Sequence, residues 1–123
     1  EHKYAAIFEG YLKTVHEPSV KDTVKAALPY LRETFRGEAI LSMGKSVDLA
    51  RHGVSGVLNA MPFNCMPGTI VAALLKKFSE DYDGFPYLSM SFDGNEQANA
   101  MTRLEAFVHQ AKQRQADKKL VGA

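Results

Sequence analysis

The one cysteine of this chain, Cys65, stands in the run Pro62-Phe63-Asn64-Cys65-Met66-Pro67-Gly68-Thr69 and carries the sharpest chemistry the sequence offers. A thiolate attacks electrophiles and binds soft metals. Placed just ahead of a helix, it meets free amides and the positive end of the helix dipole, both of which favour negative charge. Pro62 and Pro67 stiffen the approach. The same sulfur also suits a small buried hydrophobe, the usual fate of an unpaired cysteine, and the residues alone leave both readings open. A further reading, a thiol-dependent enzyme, needs a base beside Cys65 that the sequence does not identify. A lone cysteine does not complete a zinc or iron–sulfur site, which draws on several protein ligands.

The other candidates are weaker. His2, His16, His52 and His109 sit in separate segments without metal-ligand spacing and read as surface side chains. Pro67-Gly68-Thr69 can cradle an anion through its amides, but the chain has no Walker motif, no GxGxxG and no GxSxG elbow. Thr102, Arg103 and Glu105 can reach a ligand from the last helix, or simply form its solvated face.

These residues need elements to hold them. Tyr4, Ile7, Phe8, Tyr11 and Leu12 recur at helical spacing, giving a first helix that ends near His16 before Pro18. Ser19 caps a second, whose stripe Val20, Val24, Ala27, Leu28, Leu31 and Phe35 runs to Gly37, with Pro29 forcing a kink or break near Ala26 to Leu28. A third, short helix is expected from Ser46 to His52, stopped by Gly53. The period then changes. Val54 to Met61 is uncharged and apolar, the pattern of a strand covered on both faces. Thr69 is the expected cap of the next helix, with Ile70, Val71, Leu74, Leu75 and Phe78 inward, and Asp83-Gly84 turns the chain into a second strand, Pro86 to Phe92. Met101, Leu104, Phe107, Val108 and Ala111 line one face of a last helix, and Gln110 to Lys119 reads as its fraying polar end.

Strand, helix, strand, helix makes a Rossmann-like βαβα unit of α/β class with additional N-terminal helices, its strands parallel. In such a sheet ligands bind beyond the carboxyl ends of the strands. The loops after the two strands therefore bring Asn64, Cys65, Thr69, Asp93, Asn95 and Gln97 to one edge. Two strands alone are marginal. The sheet is completed by a strand within Glu38 to Met43, by the first-half helices covering it, or by sequence beyond this chain.

The 123 residues suit a single domain: 1–53 mainly helical, 54–113 the βαβα unit, 114–123 a polar tail. Fifteen basic against fourteen acidic side chains leave a formal charge of +1, too little to draw the chain onto nucleic acid or an anionic membrane. The longest apolar run, Ile70 to Leu75, falls far short of the ~20 residues of a membrane span, and no secretory h-region follows Glu1-His2-Lys3. With a single cysteine, the expectation is a cytoplasmic protein. The absent initiator Met and the terminal sequences suggest a C-terminal piece of a larger protein.

The run Gly56-Val57-Leu58-Asn59-Ala60-Met61-Pro62-Phe63-Asn64-Cys65-Met66-Pro67-Gly68-Thr69-Ile70-Val71, with Phe92-Asp93-Gly94 and Thr102-Arg103-Leu104-Glu105-Ala106-Phe107, resembles the C-terminal part of the CoA-substrate-specific enzyme activases. These are relatives of 2-hydroxyacyl-CoA dehydratase and benzoyl-CoA reductase subunits. The likeness covers roughly Gly37 to Ala111, and the stretch around Cys65 is its most specific part. The resemblance implies that Cys65 is one ligand of a 4Fe-4S cluster whose other thiolates lie elsewhere in the parent protein. Asn64, Met66, Gly68, Thr69, Asp93, Gln97 and Arg103 would then face that cluster or an acyl-CoA pocket. The remaining cluster cysteines and an activator's ATP-binding motif are missing here, so the domain alone is expected to be inactive. Its partners would be the rest of the parent protein or a second subunit. The rival expectation is a docking domain in which Cys65 is buried and Tyr4, Ile7, Phe8 and Tyr11 form an exposed patch.

Overall fold

A computed structural model describes residues 17–94 and 99–121. The helix expected before His16, the patch of Tyr4, Ile7, Phe8 and Tyr11, and both Asn95 and Gln97 lie outside the described residues. The order of elements is α1 (Val20–Ala27), α2 (Glu38–Arg51), β1 (Val57–Pro62), α3 (Met66–Asp81), β2 (Tyr87–Phe92) and α4 (Ala100–Val121), an α/β arrangement.

Ser19 caps α1 as its residue type predicts: its Oγ accepts the Asp22 N–H at 3.2 Å and donates to the Asp22 carboxylate at 2.6 Å. The helix ends at Ala27, because Pro29 has no N–H to continue it and its ring collides with the preceding turn. The longer stripe to Phe35 is thus cut short. Tyr30 and Leu31 instead bond back to the Ala27 carbonyl, each at 2.9 Å, and fold onto the core.

Two expectations are corrected at α2. The helix begins at Glu38, eight residues before Ser46, and the strand considered within Glu38 to Met43 is helix. Buried Ala39, Ile40, Met43, Gly44 and Val47 repeat with helical period, a signal weakened by the serines and glycine among them. Gly44 lets α1 and α2 cross at close range: a Cβ there would lie 1.9 Å from the Thr23 carbonyl oxygen.

The strands pair in parallel from Val57↔Tyr87 to Pro62↔Phe92, with α3 as the crossover. On the face that carries Asn59 and Met61, α3 packs so tightly that the Asn59 Nδ2 donates to the Gly68 carbonyl at 3.0 Å. It reaches the Ser89 hydroxyl as well, at 3.3 Å. The opposite side is met by α4, whose Phe107 ring closes on Gly56. Because α4 leans on β2, Leu58 stays 44% exposed and Ala60 exposed, so β1 is not covered on both faces among the described residues.

Phe78 centres the core, with the rings of Tyr30, Tyr82 and Phe85 at centroid distances of 5.9, 4.8 and 5.2 Å. The supposed polar tail is helical through Val121. Arg114 helps to hold it, donating to the carbonyls of Tyr82 and Asp83 at 2.8 and 2.9 Å while its guanidinium lies over the Phe85 ring. No helix among the described residues is long and apolar enough to cross a membrane.

Candidate functional site

Because β1 and β2 run parallel and in register, the loops that leave Pro62 and Phe92 emerge at the same end of the sheet. The Phe63 N–H donates to the Phe92 carbonyl at 2.8 Å, tying the first loop to the second strand's end. Asn64 then turns the chain at φ 60°, a left-handed conformation that asparagine tolerates better than most residues. The Cys65 N–H returns to the Pro62 carbonyl at 3.1 Å and closes the turn.

Cys65, not Thr69, is the N-cap of α3. A proline in the first turn forfeits no intrahelical bond, so Pro67 is tolerated in a helix that starts at Met66. Thr69 is already inside, its N–H and Oγ1 both donating to the Cys65 carbonyl at 3.0 and 2.8 Å. The Cys65 side chain makes no capping hydrogen bond and is half-buried. Of the first-turn amides, Pro67 has none, which leaves those of Met66 and Gly68 without intrahelical partners.

Asn64, Cys65, Met66, Gly68, Thr69 and Asp93 therefore share one end of the sheet. Asn64, Met66, Thr69 and Asp93 are exposed, while Gly68 is buried against Met61. Arg103 is engaged with the sheet: its Nη2 donates to the Ser89 carbonyl at 2.7 Å. Among the described residues no group of three or more His, Cys, Asp or Glu side chains is placed to hold a metal ion.

Sequence reasoning missed the apolar rim of this end. Phe63 is 62% exposed, Met66 69% and Phe92 49%, and Met101 is exposed at the start of α4. The signal was present in the loop itself, where large apolar residues flank Cys65 on both sides of a turn.

The described groups held away from their ordinary protonation ranges lie at the other end of α3, roughly 24 Å along its axis. Burial, and then a hydrogen bond to Asp81, push the Tyr30 hydroxyl well above its usual range. The Asp81 carboxyl is held low mainly by its bond to Lys77, and the Lys77 ammonium is raised by the same contact. This cluster anchors the α1–α2 connection to the end of α3.

Comparison of the chain with family models, with curated proteins and with solved structures finds no match.

Proposed function

We propose that this chain is a cytoplasmic, Rossmann-like part of a larger iron–sulfur protein akin to the CoA-substrate-specific enzyme activases and 2-hydroxyacyl-CoA dehydratases. Cys65 would be its ligand. The reading is supported above all by one observation: Cys65 caps a helix at the carboxyl end of a parallel strand, half-buried, with no hydrogen bond from its side chain to that helix. The donor set fits a single ligand position and no more, because a 4Fe-4S cluster takes further thiolates and Cys65 is the only cysteine here. The others must come from the rest of the parent protein or a second subunit.

When bound, such a cluster supplies one-electron transfer at low potential, here toward an acyl-CoA. This chain's own part is to place the sulfur and shape its surroundings. The turn through Asn64 sets the position of Cys65, and the free amides of Met66 and Gly68 are the donors available to stabilise its charge. Phe63, Met66 and Phe92 would exclude water once a partner covers them. Among the described residues, Asn64, Thr69 and Asp93 are the polar candidates for the pocket wall.

The test is iron and acid-labile sulfide content of the parent protein purified without oxygen, wild type against Cys65→Ser. The cluster should be lost in the variant. Equal iron in both would overturn the assignment.

The exposed Phe63, Met66, Phe92 and Met101 favour a second reading, a docking surface with a structural cysteine. It expects Cys65 to react slowly with a thiol reagent in the isolated chain, whereas a poised ligand reacts readily.

A further inference from the structure

We draw no further inference here: the strongest candidate, the stripe of α4 on which exposed Met101 and Val108 stand beside Leu104, is an apolar surface patch, and nothing in the structure shows what covers it.

Discussion

A Cβ on Gly68 would stand 2.6 Å from both the Cβ and the Sδ of Met61. The thioether can swing aside, but the Cβ of a strand residue moves only with its backbone. Gly68→Ala should therefore push α3 off the sheet and destabilise the protein by about 1–3 kcal/mol, read from urea unfolding. An unchanged midpoint would show that helix and strand are looser than this contact implies. The same residue follows Cys65 by three positions, so the variant also reports on the site. If Gly68 sets the spacing between the sulfur and the sheet, reactivity of the thiol should change together with stability. The place of Cys65, in the turn between a strand and a helix, was legible in the sequence. That it caps α3 was not, because Thr69 is the better capping residue by type.

At the scale of elements, the crossing of α1 and α2 depends on Gly44. Its added Cβ would lie 1.9 Å from the Thr23 carbonyl oxygen, a backbone atom that no side-chain rotation relieves. In an isolated helix Gly→Ala is favourable by up to about 1 kcal/mol. Here the sign should reverse: Gly44→Ala is expected to separate α1 from α2 and lower stability by about 1–3 kcal/mol. A variant more stable than the parent, measured by the same unfolding, would show that α1 is not firmly seated. The length of α2 was hidden for a related reason. Its inward residues include Ala39, Gly44 and Ser46, small groups that contribute little to an apolar stripe yet permit close approach. The end of α4, read from composition as a fraying polar end, is helical through Val121, with Arg114 tying it to the turn after α3.

For the molecule as a whole, one aromatic cluster joins both halves of the chain. Phe78 is fully buried and touches the rings of Tyr30, from the connection after α1, and of Tyr82 and Phe85, from the turn before β2. Phe78→Ala should cost about 3–5 kcal/mol by chemical denaturation, as large aromatic truncations in packed cores do. With a total stability of about 5–15 kcal/mol to draw on, a domain of this size would be left marginal. A loss below about 1 kcal/mol would mean that the two halves are not packed through this ring. Among the described residues the sheet has two parallel strands and adds little by itself, so the helices and this cluster hold that part together.

The class of the fold, the parallel pairing implied by strand, helix, strand, and the gathering of Asn64, Cys65 and Asp93 at one end all followed from local pattern. Period and chain connectivity are properties of neighbouring residues. The break at Pro29 was equally local, a matter of one missing N–H and one ring. Only the tertiary structure decided which strand faces are covered and which polar groups are engaged. Leu58 and Met90 look alike in sequence, yet one is 44% exposed and the other buried, because α4 lies over β2 rather than between the strands. Arg103 looks free to meet a ligand until its guanidinium is found on the Ser89 carbonyl. Such outcomes depend on contacts between residues far apart in the chain, and the pattern of any one segment does not contain them.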